Sequence, residues 1–143
     1  GAILVWANLF RAIMCGANLN EANLSETDLS ESNMSWANLS RANFSRANMD
    51  LSNLREANLS FSNMTRTNLR GANMSRAFMR CSNLTEAYMS RANLSEANLF
   101  RANMSGADLF EANLDETDLS GAYRPEGGIV GWSVSEYGEL VLD

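Results

Sequence analysis

The sequence has no histidine and no lysine, and only two cysteines and one proline among its 143 residues. Without His or Lys, the usual bases that activate a Ser, Thr or Cys nucleophile are missing. Two cysteines without histidine also exclude a zinc site of the ordinary type. No glycine-rich phosphate loop is present. These absences predict that the chain is not an enzyme and that it binds no metal or cofactor.

The chain also lacks signs of secretion or membrane insertion. No stretch approaches the ~18 apolar residues that a membrane-spanning helix needs. Ten Asn-x-Ser/Thr sequons occur between Asn23 and Asn103, and a eukaryotic secretory route would glycosylate many of them. Two unpaired cysteines are typical of a reducing compartment. We therefore expect a cytoplasmic, bacterial protein that does not insert into a membrane.

What the sequence does contain is one five-residue motif, shown by Ala92-Asn93-Leu94-Ser95-Glu96. It recurs without a slip in 24 consecutive units from Ala2 onward. We number its positions one to five. Position three is always Leu, Met or Phe, and all eight methionines of the chain occupy it. Position one is Ala except at Thr27, Ser32, Ser52, Ser62, Thr67, Ser82 and Thr117.

A period of five residues excludes ordinary helices and strands. It matches neither the 3.6-residue turn of an α-helix nor the two-residue alternation of a strand. A three-residue extended piece followed by a two-residue bend does fit. In such a unit positions one and three point inward, and position two points outward. Positions four and five then turn a corner, which Ser, Asp and Gly favour.

These residues resemble the pentapeptide-repeat family, whose units read small residue, Asn or Asp, Leu/Phe/Met, small polar residue, any residue. The resemblance covers residues 2 to about 123. It implies an all-β fold, a right-handed quadrilateral parallel β-helix of about six four-sided coils, roughly 29 Å long at ~4.8 Å per layer. The second position departs from the pattern at Ile3, Ile13, Phe78 and Tyr88.

Two parts of the chain are predicted: a β-helix over residues 1–123 and a C-terminal cap or tail over residues 124–143. The period ends near Pro125, Gly127 and Gly128, which mark a break. Two short strands around a turn should follow and cover the open end of the last coil. The alternative is a dimer surface, because similar proteins form end-to-end homodimers. The residues expected in the cap or dimer surface are Trp132, Tyr137 and Leu140.

The same fold separates the two cysteines. Cys15 and Cys81 would lie on different sides, about three coils or roughly 15 Å apart. A disulfide needs Cα atoms within about 7 Å, so we expect both thiols to be free.

One side of the coil carries a candidate protein-docking patch. In the four-sided fold, aromatic and arginine side chains gather on the side that also carries Asn38, Asn58 and Asn98, and this combination is typical of interface anchors. The alternative is a variable surface stabilised only by Arg–aromatic stacking, with each ring above the arginine one coil earlier. The candidate residues are Arg41, Phe61, Phe78, Arg80, Phe100 and Arg101.

Two other sides carry weaker patterns. One has a vertical line of hydroxyls, whose side chains we expect to bond local backbone. The side opposite the patch repeats its composition in a reduced form. The hydroxyl residues are Ser25, Ser45, Thr65, Thr85 and Ser105, and the opposite side has Leu51, Arg70, Tyr88 and Arg91.

Charge and the missing chemistry leave three functions open. The first is a non-catalytic scaffold that presents flat faces to a protein partner. The resemblance suggests a second, a DNA-mimicking binder of a type II topoisomerase, although nine arginines between Arg41 and Arg101 oppose it. The third is an inert spacer, because the chain begins inside the repeat like an excised domain. With 11 basic against 17 acidic residues, nucleic-acid binding is not expected.

Overall fold

The computed structural model describes residues 1–123, 132–136 and 140–142. Position-two residues twenty apart form parallel β-bridges along the whole repeat, as in Asn38 with Asn58 and Asn58 with Phe78. Twenty residues are four units, so each coil has four sides, as predicted. We number the coils 1 to 6, covering residues 2–21, 22–41, 42–61, 62–81, 82–101 and 102–121. Ile3 and Ile13 join this ladder like the asparagines, so coil 1 is regular.

The core is a single column of side chains enclosed by the four sides. Position-three residues of coils 2 to 5 are fully buried, Phe44 and Leu59 among them. The alanines of position one, such as Ala57, are buried beside them. Leu4 and Leu114, in coils 1 and 6, are only partly buried because they have a neighbouring coil on one side. The predicted inward direction of positions one and three is confirmed.

The corners differ from the expectation. Position five has a positive φ in every unit, and twenty of these residues are not glycine. At Arg41 φ is 58°, in the left-handed region that costs an L-residue roughly 1–2 kcal/mol. Its N–H donates to the Ser60 carbonyl at 3.0 Å, and the next N–H, of Ala42, closes the turn on Leu39 at 3.2 Å. The repeated backbone bonds therefore hold a conformation that composition alone would assign to glycine.

The asparagine of position two closes each corner from the outside. The backbone N–H of Ser45 donates to Asn43 Oδ1 at 3.1 Å, and Ser60 N–H donates to Asn58 Oδ1 at 3.1 Å. An Asn side chain that accepts the amide two residues ahead mimics a backbone turn. This bond gives a physical reason for asparagine at position two of almost every unit.

Polar residues at position one behave in two ways. Thr67 Oγ1 donates to the Phe44 carbonyl of the preceding coil at 2.7 Å. The serine hydroxyls at this position are buried without a hydrogen-bond partner. A buried hydroxyl without a partner costs about 1–3 kcal/mol. The four serines concerned are Ser32, Ser52, Ser62 and Ser82.

Beyond the coils, the described residues include an antiparallel pair of short strands, β1 (Trp132–Val134) and β2 (Leu140–Leu142). Trp132 pairs with Leu142 across the pair. The predicted strands after the repeat are thus present. Within the described ranges no helix has the length and apolar character needed to cross a bilayer.

Candidate protein-interaction surface

The side that carries Asn38, Asn58, Phe78 and Asn98, which we call the aromatic face, holds the predicted docking residues. A corner formed by position five bounds this face on each edge. Trp36, Glu56 and Arg76 stack along the leading corner, and Arg41, Phe61 and Arg101 along the trailing one. The face thus displays side chains from coils 2, 3, 4 and 5.

Two phenylalanines of this face are largely in solvent. Phe61 is 53% exposed and Phe78 is 56% exposed, whereas Phe100 is partly buried. Phe78 stands where the repeat calls for asparagine, so it points outward from the middle of the face. The fold leaves these rings outside the core, and no position-three residue of the same face, such as Leu59, is exposed.

The Arg–aromatic contacts differ from those predicted. The Arg80 guanidinium lies 5.9 Å from the centre of the Phe61 ring, and Arg101 lies 5.1 Å from that of Phe100. The expected stacking of Phe61 on Arg41 and of Phe100 on Arg80 is not seen among the described side chains. Phe61, at position five, contacts an arginine at position four of the next coil, and Phe100, at position four, contacts the residue that follows it in the chain.

The structure adds Trp36, which is not among the docking residues predicted from the sequence. Trp36 and Phe78 lie on either side of a shallow cavity of about 310 Å³, whose floor includes Asn58 and Ser60. The Trp36 indole N–H donates to Glu56 Oε2 at 3.0 Å, which fixes the ring while 57% of the residue stays exposed. The sequence alone could have indicated that Trp36 belongs to this face, because position five of one unit borders the side formed by the next unit.

The positive charge of the aromatic face is only partly neutralised. Arg41 has a carboxylate of Glu21 at 3.7 Å, with both side chains exposed. Arg80 and Arg101 form no ion pair with any carboxylate in the part of the chain that the structure describes. They lie against rings instead, which leaves guanidinium N–H groups free to donate.

Several other arginines at position five are bonded to glutamates one coil later. Arg66 Nε is 2.6 Å from Glu86 Oε2, and Arg76 Nε is 2.9 Å from Glu96 Oε2. Hydrogen bonding to the arginine lowers the pKa of Glu86 and that of Glu96, and raises the pKa of each arginine. These exposed pairs neutralise their corners, which distinguishes them from Arg80 and Arg101.

The opposite side, which we call the Tyr88 face, carries the reduced pattern that was predicted. Tyr88 and Phe110 are exposed there. Leu51 folds over Gly71, where an added Cβ would lie 2.8 Å from Leu51 Cδ2. Arg70 and Arg91 border this small notch, but Arg91 is bonded to a glutamate, Glu111. This face therefore offers fewer uncommitted groups than the aromatic face.

A third side, the hydroxyl face, satisfies its own side chains. Thr65 Oγ1 donates to Asn63 Oδ1 at 2.7 Å, and Thr85 Oγ1 donates to Asn83 Oδ1 at 2.6 Å. The expectation that these hydroxyls bond backbone is wrong: those of Ser25, Thr65, Thr85 and Ser105 donate to the asparagine two residues earlier. The acceptor is the same oxygen that holds the turn.

Of the predicted cap or dimer residues, Tyr137 lies outside the described residues. Trp132 begins β1 and Leu140 begins β2, and the strands pair with each other. The interpretation of these residues as a lid or dimer surface stays a prediction.

The described side chains do not assemble a metal site of three or more His, Cys, Asp or Glu groups. Cys15 is exposed, Cys81 is partly exposed, and both thiols are free. Ser35 Oγ lies 3.4 Å from Cys15 Sγ, which is a weak contact.

Comparison with known proteins agrees with this geometry. The family model for pentapeptide repeats matches eight copies within residues 2–123. HetL, a pentapeptide repeat protein involved in heterocyst differentiation regulation in the cyanobacterium Nostoc sp. strain PCC 7120, is 33% identical with a TM-score of 0.70. That match covers 90% of this chain and 68% of HetL.

Two further solved structures are similar. Rfr23 from the cyanobacterium Cyanothece 51142 is 29% identical with a TM-score of 0.58, over 77% of this chain and 84% of Rfr23. The protein alr5209 from Nostoc PCC 7120 is also 29% identical, with a TM-score of 0.53, over 72% of this chain and 84% of alr5209. No curated protein sequence matches closely enough to count as a relative. The chain belongs to the pentapeptide-repeat family and has its right-handed quadrilateral β-helix.

Proposed function

We propose that this protein is a non-catalytic scaffold that binds a protein partner through the aromatic face. The observation that carries the proposal is the combination of exposed Trp36, Phe61 and Phe78 with two arginines. These are Arg80 and Arg101, which form no ion pair among the residues that the structure describes. Aromatic and arginine residues contribute most of the binding energy in protein interfaces. A rigid solenoid presents them at fixed spacing, so little conformational entropy is lost on binding.

The charge distribution supports this proposal over the DNA-mimicking alternative. A mimic of DNA needs a continuous negative surface, but coils 3 to 5 contain most of the arginines of the chain. Acidic residues gather in coil 6 instead, at Asp108, Asp115, Glu116 and Asp118, and none of these four is ion-paired with an arginine of the described ranges. A cytoplasmic location and an end-to-end homodimer formed by residues 124–143 remain part of the proposal and await their own tests.

Capture of partners from an extract of the source organism tests the proposal. The bait variant replaces Phe61, Phe78 and Phe100 with Ser. Its matched control replaces Leu51, Tyr88 and Phe110, exposed or partly exposed groups of the Tyr88 face, with Ser as well. We expect a partner that binds wild type and the control but not the aromatic-face variant, with the same β-rich circular dichroism spectrum for all three.

Other outcomes contradict the proposal. Capture of the same partner by the aromatic-face variant would remove that face from consideration. A type II topoisomerase bound by all three baits would favour the DNA-mimicking alternative. No specific capture by any bait would favour the inert spacer.

A further inference from the structure

The aromatic face has dimensions and charges that fit one class of partner segment. Its exposed groups come from four successive coils: Trp36 in coil 2, Phe61 in coil 3, Phe78 with Arg80 in coil 4, and Arg101 in coil 5. Three layer spacings of ~4.8 Å give a strip roughly 14 Å long along the axis of the solenoid. Its width runs from the leading corner, at Trp36, to the trailing corner, at Phe61 and Arg101.

An extended peptide cannot join this strip by backbone pairing. The ladder across the face is already complete, because Asn58 is bridged to Phe78 and Phe78 is bridged to Asn98. The N–H of Leu59 donates to the Phe78 carbonyl at 2.7 Å, and the N–H of Phe78 donates to the Ala57 carbonyl at 2.9 Å. A partner must therefore bind through side chains, which excludes addition of a strand along this side.

An α-helix lying along the strip meets this requirement. Its turns rise 5.4 Å, close to the ~4.8 Å between coils, so one side chain per turn can face each coil. The mismatch adds up to only about 2 Å over three layers. Roughly ten helical residues, with apolar side chains at positions i, i+3 or i+4, and i+7, would cover the strip.

The charge of the aromatic face determines whether the bound helix should be acidic or basic. The cavity between Trp36 and Phe78 has no free cation, since Glu56 accepts the indole N–H and also lies 2.8 Å from Arg55. The far end of the strip has the guanidinium groups of Arg80 and Arg101, which lie against aromatic rings and form no ion pair with the described carboxylates. An apolar side chain therefore suits the cavity, and carboxylates suit the opposite end.

We infer that the aromatic face binds an acidic amphipathic helix of a partner protein, aligned with the solenoid axis. Its apolar side chains contact Trp36, Phe61 and Phe78, and its carboxylates accept hydrogen bonds from Arg80 and Arg101. This inference rests on the proposed scaffold function and specifies the partner segment. Arginines beside aromatic rings can also bind single-stranded nucleic acid, but the net charge of −6 opposes that partner.

Selection from a library of displayed random peptides of about 16 residues tests the inference, since that length allows about four helical turns. The target is the full chain, with counter-selection against the variant in which Phe61, Phe78 and Phe100 are replaced by Ser. We expect enriched peptides to be acidic and to repeat apolar residues at helical spacing. Enrichment of basic peptides, of proline-rich extended peptides, or of no peptide would overturn the inference.

Charge exchange then tests the arginines. The double variant Arg80→Glu with Arg101→Glu should bind an enriched peptide about tenfold more weakly, and should recover affinity for the same peptide with Lys in place of its acids. The matched control, Arg66→Glu with Arg91→Glu, changes corners outside the strip and should leave the affinity unchanged. An equal loss of peptide affinity in both double variants would contradict the inference. So would binding of a labelled single-stranded oligonucleotide that depends on the aromatic face.

The two proposals fail in different experiments. If extract capture depends on the aromatic face but selected peptides are not acidic helices, the scaffold function stands and the helix inference is wrong. If capture of the partner from the extract does not depend on the aromatic face, the proposed function is wrong and the helix inference is wrong with it.

Discussion

The hydroxyl face and the aromatic face share one backbone and one kind of core, but their outward side chains are used differently. On the hydroxyl face Asn63 Nδ2 donates to Asn43 Oδ1 at 3.2 Å, and Asn43 Nδ2 donates to Asn23 Oδ1 at 3.3 Å. Phe78 interrupts the corresponding column of the aromatic face. One face satisfies its polar groups internally, and the other keeps apolar and cationic groups available.

This difference separates what folds the chain from what it can bind. Positions one and three are nearly uniform on both faces, because every coil must fill the same narrow column. Positions two, four and five are free to vary wherever the ladder holds the backbone. Binding specificity should therefore reside in those outward positions, and the following variants test the division.

The largest expected effect comes from a charge placed in the core. Leu59→Asp on the aromatic face would bury a carboxylate without a partner, at a cost of several kcal/mol. We expect loss of the β-rich circular dichroism signal in the central coils. Asn58→Asp, one residue away and pointing outward, is the control and should melt close to wild type. If both variants melt alike, the inward assignment is wrong.

A smaller effect is expected at position one, where serine and threonine differ. Ser62→Ala removes a buried hydroxyl without a partner and should stabilise the protein by about 1 kcal/mol. Thr67→Val removes the bond to the Phe44 carbonyl and should destabilise it by about 1 kcal/mol. Chemical denaturation of both variants gives the two signs. A loss of stability in Ser62→Ala would show that its hydroxyl is satisfied.

Phe78→Asn converts the aromatic face toward the hydroxyl face. The new side chain could accept the Arg80 N–H, as Asn58 Oδ1 accepts the Ser60 N–H, which should add about 0.5–1.5 kcal/mol of stability. The same substitution should weaken capture of the partner, because it removes one wall of the cavity beside Trp36. Denaturation and capture are measured on one preparation. Stability and capture that fall together would contradict this prediction.

The smallest effect concerns acid stability. The lowered pKa of Glu96 means that the unfolded chain binds more protons in acid, so this stabilisation is present above the ordinary pKa of 4.5 and is lost as pH falls through the lower folded value. Arg76→Gln should reduce the melting temperature slightly at pH 7, and the reduction should shrink at a pH below the folded pKa of Glu96, where the carboxyl group is protonated in both states. A difference that is equal at both pH values would exclude the ion pair as the cause.

Much of this fold could be predicted from the sequence because the same five-residue pattern occurs in 24 consecutive units. A five-residue period, small and large apolar positions two apart, and Asn between them specify the coil and its inward side chains. The left-handed corners could not be predicted from composition, since Arg41 or Phe61 would not favour a positive φ in isolation. Only the stacked backbone bonds stabilise that conformation there.

The candidate surface was predictable in part. The positions of Phe61, Phe78 and Phe100 in the repeat predicted that they lie on one side of the coil. These positions could not predict the direction in which long side chains such as arginine point. Arg80 contacts Phe61 rather than Phe100 because side-chain direction at a corner depends on the local backbone and on neighbours. Trp36 could not be recognised from its own unit, because it lies on a corner and each corner borders two sides. Its unit forms one of these sides, and the next unit forms the aromatic face.

Hydroxyl-radical footprinting of the protein with its captured partner tests the central claim most directly. Trp36, Phe61 and Phe78 provide oxidisable rings on the aromatic face, and Tyr88 and Phe110 provide them on the opposite side. We predict that the partner protects the first three rings and leaves the last two as reactive as in the free protein. Protection confined to Tyr88 and Phe110, or equal on both sides, would contradict the assignment of the binding face.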